Sequence, residues 1–160
     1  MTINTLYFQK QSCPFGKVYI YADQHSLKAL LFKPWQATEA TNVMNQANPI
    51  IDKTLTQLEE YFAGSRTQFS IPIAAQGTRF QQTVWQTLQS IPYGKTWSYG
   101  QLACAIGNKN ASRAVGAANG KNPISIIIPC HRVIGANGTL TGYAGGLSAK
   151  EWLLRHEGAL

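Results

Sequence analysis

Apolar positions in the first half of the chain fall in short alternating runs. Tyr7 with Phe8, Val18 to Ala22, and Leu27 to Phe32 are β-prone, and they are separated by Pro14, Gly16 and the turn residues Asp23-Gln24-His25. This spacing predicts an antiparallel meander. The period then lengthens. Asn48 stands as a cap before Pro49, and Ile51, Leu55, Leu58 and Phe62 recur at helical intervals up to Gly64, predicting one amphipathic helix. Phe69, Ile71 and Ile73 alternate again as an edge strand, the one strand position where Pro72 is tolerated.

From Gly77 onward the pattern is helical. Thr78 with Gln81 forms a capping box ahead of an apolar face of Phe80, Val84, Leu88 and Ile91, ended by Pro92. Ser98 with Gln101 forms a second box, before a helix that buries Leu102 and Ile106 and stops at Gly107. After Asn108-Lys109-Asn110, a third helix runs from Ala111 to Asn119, with Gly120 as its stop. Two short helices about a tight turn predict a helix-turn-helix. The third helix offers Ala111, Ser112, Ala114, Gly116, Ala117 and Ala118, with Arg113 as its one long side chain. Such a helix reads little base sequence. Its small residues permit close approach either to DNA or to the protein's own interior. Ile124 to Ile128 reads as a buried strand ending at Pro129. Finally Ser148 with Glu151, and Leu147 with Trp152, have capping-box and staple spacing for a helix from Ala149 to about Glu157, stopped by Gly158.

The expected class is therefore α/β (α+β), with a supporting domain over 1–76 and a mainly helical domain over 77–160. An apolar share of 44% in 160 residues supports packed cores and argues against disorder. The chain carries 14 Lys and Arg against 7 Asp and Glu, a net charge of +7. Six basic and five acidic residues lie in 1–76, but eight and two in 77–160, and no carboxylate occurs between Glu60 and Glu151. That imbalance favours a phosphate-rich partner. No stretch has the length and apolarity of a membrane span or an export leader. Three cysteines, an odd number, fit a reducing setting, and a cytoplasmic location is expected.

The chemistry converges on Cys130-His131-Arg132-Val133. Positive charge from His131 and Arg132 is expected to lower the thiol pKa. Neighbouring side chains in an extended chain point apart, so cooperation between Cys130 and His131 needs a bridging water or a turn. Glu157 sits at the helix end that the macrodipole disfavours for an anion. It either orients His131 in a nucleophile, base and orienter set or is a solvated helix end. Cys13 and Cys104 read as small buried apolar residues. Cys13, His25, Cys104, Cys130, His131 and His156 lack paired metal-ligand spacing, and no glycine loop has a phosphate-cradling signature, so neither metal nor cofactor is expected.

Ile128-Pro129-Cys130-His131-Arg132-Val133, Gly142-Tyr143-Ala144-Gly145-Gly146 and Lys150-Glu151-Trp152-Leu153-Leu154 resemble the methylated-DNA-protein-cysteine methyltransferase family, which repairs 6-O-alkylguanine. Ser98-Tyr99, Ser112-Arg113-Ala114-Val115-Gly116 and Asn122-Pro123 extend the resemblance over residues 78 to 158, and the first 75 residues match it more loosely. The resemblance implies a ribonuclease-H-like first domain and a winged-helix-like second one. It implies irreversible, single-turnover transfer of an alkyl group from 6-O-alkylguanine, and from 4-O-alkylthymine, to Cys130 after base flipping. His131 would act through a water and Glu157 would orient it, with Asn122 bracing the turn. Tyr99 would crowd the target phosphate and touch the base. Arg113 would fill the gap in the duplex, on a minor-groove helix carrying Ser112, Ala114, Gly116 and Ala117. Val133, Tyr143, Ala144, Gly145 and Arg132 would line the pocket, with Ala144 offering its backbone N–H and Ser125 and Thr141 altering the wall. The implied partner is double-stranded DNA with alkylated bases, held through phosphate and minor-groove contacts by a monomer, with cooperative binding left open. Two other classes stay open: a non-catalytic lesion-binding regulator, and a thiol hydrolase built on Cys130, His131 and Glu157.

Overall fold

The computed structural model describes residues 4–36 and 41–160. It divides into two compact units, Met1–Ala75 and Gln76–Leu160.

In the first unit, β1 (Asn4–Cys13), β2 (Gly16–Ala22) and β3 (Leu27–Leu31) form the antiparallel meander. Gly16, at φ +143, lets Cys13 pair directly with it across the first turn. Asp23 closes the second turn by accepting the N–H groups of His25 and Ser26 at 2.8 Å each. A short β4 (Thr41–Met44) adds to the free edge of β1 in parallel, giving the order β3-β2-β1-β4. This strand lacks alternation and lies mostly exposed, so its sequence carries no pattern to betray it.

Helix α1 (Pro49–Phe62) starts as expected, with the Asn48 side chain accepting the Ile51 N–H. Its buried face is turned slightly from the predicted stripe: Ile51, Thr54, Gln57, Leu58 and Tyr61 are buried, whereas Leu55 and Phe62 are half-buried. Gln57 can enter because both ends of its amide are satisfied by Ser70, at 2.8 and 2.9 Å. The expected edge strand over Phe69 to Ile73 shrinks to a single bridge between Ile73 and Leu27. Pro72 still contributes, as a carbonyl accepting the Leu27 N–H at 2.8 Å.

In the second unit, the capping boxes of α2 (Arg79–Leu88) and α3 (Tyr99–Ala105) form in full. Phe80, however, is exposed, and Trp85 takes the inward place beside Val84 and Leu88. The indole N–H of Trp85 donates to the Ala118 carbonyl at 2.8 Å, tying α2 to α4 (Ser112–Gly120). Gly107, at φ +83, makes the sharp exit from α3 that allows α3 and α4 to pack together. Ile106 is only half-buried there.

Two residues of β5 (Trp97–Ser98) pair in parallel with β6 (Val133–Ile134), bringing the start of α3 beside the chemical segment. The last helix, α5 (Leu147–His156), begins two residues earlier than expected. Gly146, at φ +91, opens it without a side-chain cap, so Ser148 lies inside the helix and its box does not form. Glu151 instead pairs with Arg155 at 2.9 Å, Leu147 is exposed, and Trp152 stacks on His156 with ring centroids 4.7 Å apart. Among the described residues, no helix is long and apolar enough to cross a membrane.

Candidate active site

The run before the nucleophile is not a strand. Residues 124–128 fold into consecutive turns, with Ile128 N–H donating to the Ile124 carbonyl and Ile126 held at φ 71. A β-branched residue in that region carries roughly 1–2 kcal/mol of strain. Burial of Ile124, Ile126 and Ile128 offsets it. Asn122 holds the loop from inside. Its Nδ2 donates to the Ile128 carbonyl at 2.8 Å, and its Oδ1 accepts the Ile124 N–H at 3.0 Å.

Cys130 therefore enters on a 3-10 turn, Cys130–Arg132, and not at the end of an extended element. His131 follows it on the same turn. Both residues are buried, with His131 at 0% exposure. His131 Nε2 lies 2.8 Å from Glu157 Oε2, and its Nδ1 is enclosed without a protein partner. With Nε2–H donating to the carboxylate, Nδ1 presents a lone pair.

Arg132 has a different place from the pocket wall expected of it. Its Nε donates to Glu157 Oε1 at 2.7 Å, its Nη2 to Oε2 at 3.0 Å, and its Nη1 to the Ile91 carbonyl at 2.7 Å. Burial pushes the Glu157 carboxyl up. The hydrogen bonds and charge of His131 and Arg132 outweigh it and hold the group at about 2. Glu157 is thus a buried, fully engaged anion rather than a solvated helix end.

The thiol also departs from expectation. Burial pushes the Cys130 pKa up, against smaller lowering contributions from Asn122, the Lys150 charge and Ser125. Arg132 does not supply the expected activation, because its charge is committed to Glu157. Burial likewise lowers the His131 pKa against the pull of Glu157. At neutral pH the pair rests as thiol and neutral imidazole.

Lys150 was not singled out as a site residue from the sequence. It is fully buried, and its Nζ donates to the Val133 carbonyl at 2.6 Å and the Thr141 carbonyl at 3.3 Å. A signal existed: Lys150, Leu153, Leu154 and Glu157 share one face of α5 by helical spacing, so a lysine stands where the pattern calls for an apolar residue. Asn119, buried on α4, was missed for the same reason. Cys104 is exposed and Cys13 half-buried, so neither is the core residue expected.

An open cleft of about 600 Å³ is walled by Tyr99, Ser112, Gly116, Thr141, Tyr143 and Ala144. The Tyr99 hydroxyl bonds to Thr141 Oγ1 at 2.5 Å, fixing the ring at the cleft. Val133 and Gly145 do not line it, and Val133 presents its carbonyl to Lys150 instead. The small residues of α4 serve both directions. Ala111, Val115 and Ala118 pack inward, while Arg113, Ala114 and Ala117 are exposed. Of the eight cations of this unit, Arg132 and Lys150 are buried, leaving Arg79, Lys95, Lys109, Arg113, Lys121 and Arg155 on the surface. Among the described residues no cluster of His, Cys, Asp or Glu could hold a metal ion.

Comparison with known proteins covers both units. The family model of the 6-O-methylguanine DNA methyltransferase DNA-binding domain matches residues 79–159, and that of the ribonuclease-like domain of the same enzyme matches residues 5–75. The methylated-DNA–protein-cysteine methyltransferase of Methanosarcina acetivorans is 46% identical over 96% of this chain and 99% of its own. That of Shigella flexneri is 46% identical over 95% of each. The structure of Mycobacterium tuberculosis OGT in complex with DNA superposes with a TM-score of 0.87 at 42% identity, covering 96% of this chain and 93% of the other. On these matches, which span both units, the chain belongs to the methylated-DNA–protein-cysteine methyltransferase family.

Proposed function

We propose that residues 77–160 bind double-stranded DNA bearing alkylated bases, evert the damaged nucleotide and transfer its alkyl group to Cys130, with residues 1–76 in support. The observation that carries this reading is the buried His131–Glu157 pair on the turn that bears buried Cys130, in a unit that also holds a cleft walled by Tyr99 and α4. The relatives' names supply methylated DNA as substrate class, and the mycobacterial neighbour was solved with DNA.

His131 Nδ1 takes the thiol proton through a water, and Glu157 stabilises the resulting imidazolium. The sulfur attacks the alkyl carbon of 6-O-alkylguanine or 4-O-alkylthymine, forming an S–C bond as the C–O bond breaks. The base leaves with the electron pair and is protonated. The Tyr99 hydroxyl, on a residue that walls the cleft, donates toward the departing base. The thioether product has no carbonyl for water to attack, so the thiol is not regenerated and each molecule acts once. Arg113, exposed on α4, occupies the space the base vacates, and Ser112, Ala114, Gly116 and Ala117 let the helix approach the minor groove. Surface cations meet phosphate without reading sequence. Eversion costs a few kcal/mol, less at a weakened pair. The protein acts as a monomer in a reducing, cytoplasmic setting.

Intact-protein mass spectrometry after incubation with a duplex containing 6-O-methylguanine tests this. A gain of one methylene, absent in Cys130→Ala, is expected. DNA binding with unchanged mass would identify a lesion-binding regulator, and ester turnover without DNA a thiol hydrolase.

A further inference from the structure

The first unit holds a cavity of about 440 Å³ between the β1–β2 hairpin and α1. Its origin is aromatic packing. Phe15, in the hairpin turn, meets Phe62 edge-on with ring centroids 6.1 Å apart and Phe32 at 5.8 Å, which pins the turn to the end of α1 and leaves the space beside it unfilled. Buried Val18 and Leu58 floor this space, and Leu55, Phe62 and Pro14 wall it. Leu55 and Phe62 belong to the apolar stripe of α1, yet the fold leaves both half-buried. Two large apolar side chains are thus kept on a helix face that the protein itself does not cover.

Charge at the rim decides what can fill it. Asp23, Glu60, Glu151 and Glu157 each pair with a Lys or Arg. Of the other described carboxylates, Asp52 stands in the first turn of α1, where the helix dipole favours an anion. Glu59 stands in the last turn, where the dipole opposes one, and no basic residue shares that turn. Among the described residues it forms no ion pair, in a chain with 14 Lys and Arg against 7 Asp and Glu. Glu59 lines the cavity beside Gln11, Ser12 and Cys13, and no Lys or Arg does so. The volume falls within the roughly 300–1,000 Å³ of small-molecule sites, and the chemistry is that of apolar walls with a single anion. We infer that this cavity binds an arylalkylamine, its ring lodged against Leu55, Leu58 and Phe62 and its ammonium on Glu59. The transfer reading gives the first unit no chemistry of its own, and this site is independent of it.

Tryptamine and indole-3-propionate, alike in shape and opposite in charge, test the inference on the full chain without DNA. Tryptamine should move the methyl resonances of Val18, Leu55 and Leu58 saturably at roughly millimolar concentration, and indole-3-propionate should leave them in place. Glu59→Gln, at an exposed position, should weaken tryptamine roughly 5-fold. Asp52→Asn, at the other carboxylate without a salt bridge, should not change it. A chemical readout needs no variant. Tryptamine should slow alkylation of Cys13 by N-ethylmaleimide and leave that of exposed Cys104 unchanged. Equal binding of the two indoles, wild-type affinity in Glu59→Gln, an unslowed Cys13, or no resonance shift by about 10 mM would each overturn the proposal. Shifts of the same methyl groups on concentrating the protein alone would place a second copy in the cavity and overturn it too.

Discussion

Replacing Glu157 by Gln separates what the buried charge does for the fold from what it does for the site. The carboxylate accepts from His131 Nε2 at 2.8 Å and from Arg132 at 2.7 and 3.0 Å, with its side chain 0% exposed. An amide oxygen in the Oε2 place can still accept from His131 and from Arg132 Nη2, but the amide nitrogen then faces Arg132 Nε and the guanidinium has lost its anion. Leaving a buried charge unpaired costs about 3–5 kcal/mol. Glu157→Gln should then melt roughly 10 °C or more below wild type at neutral pH. Adding Arg132→Met removes the stranded charge, so the double variant should recover more than half of the loss, a coupling of about 2 kcal/mol. Transfer should not recover with it. Neither variant has the anion that supports a protonated His131, and both should react roughly 10- to 100-fold slower. The pH profile adds a check. A carboxyl held at about 2 in the fold, against an ordinary 4.5, contributes stability fully present above 4.5 and lost as pH falls toward 2. Burial lowers the His131 pKa below its ordinary 6.5, so stability also starts to fall below that pH. Circular-dichroism melts between pH 7.5 and 3 should show the Glu157 part of this slope in wild type and not in Glu157→Gln. Additive losses in the double variant, or a single variant as stable as wild type, would refute the charge network described.

Two further outcomes follow from the same geometry. Arg113→Ala should leave the melting temperature unchanged, since the residue is exposed. It should slow repair in duplex DNA far more than reaction with free 6-O-methylguanine, and equal losses in the two assays would exclude a flipping role. Lys150→Met should shift the pH profile of Cys130 alkylation by iodoacetamide to higher pH, because the Lys150 charge is one of the influences that lower the thiol pKa. An unmoved profile in a folded variant would show that this charge does not reach the sulfur.

Most of the frame was legible from local chemistry. The caps at Asn48, Thr78 and Ser98 form as their spacing requires, because a capping box satisfies its orphan N–H groups within four residues. Long-range choices were not. Ser148 and Glu151 have the spacing of a box, yet Gly146 opens the helix first. Ile124 to Ile128 has strand composition, but Asn122 captures the Ile128 carbonyl and the Ile124 N–H and winds the segment into turns. In the site, the pairing of His131 with Glu157 was one of two readings that the position of Glu157 allowed, and it is the one that forms. Arg132 was assigned to the wrong surface because its partners, Ile91 and Glu157, lie 41 and 25 residues away.

The buried polar residues that sequence reasoning passed over all stand on otherwise apolar helix faces. Lys150 on α5 and Glu157 at its C-cap are seven residues apart, two turns of helix, which brings the charge of one to bear on the sulfur and sets the other on the imidazole. α5 thereby sets the spacing of the site from a single rigid element. Burial keeps Cys130 a thiol and His131 neutral, so the resting sulfur is a weak nucleophile. On the proposed transfer, in which Cys130 is consumed in a single reaction, that resting state has a physical advantage. Only the thiolate is strongly nucleophilic, and in the proposed mechanism its proton passes to His131 as the alkyl carbon arrives. Exposed Cys104 has no such shelter and meets whatever electrophile is in solution. The desolvation that opposes activation thus also shelters Cys130 from electrophiles in solution.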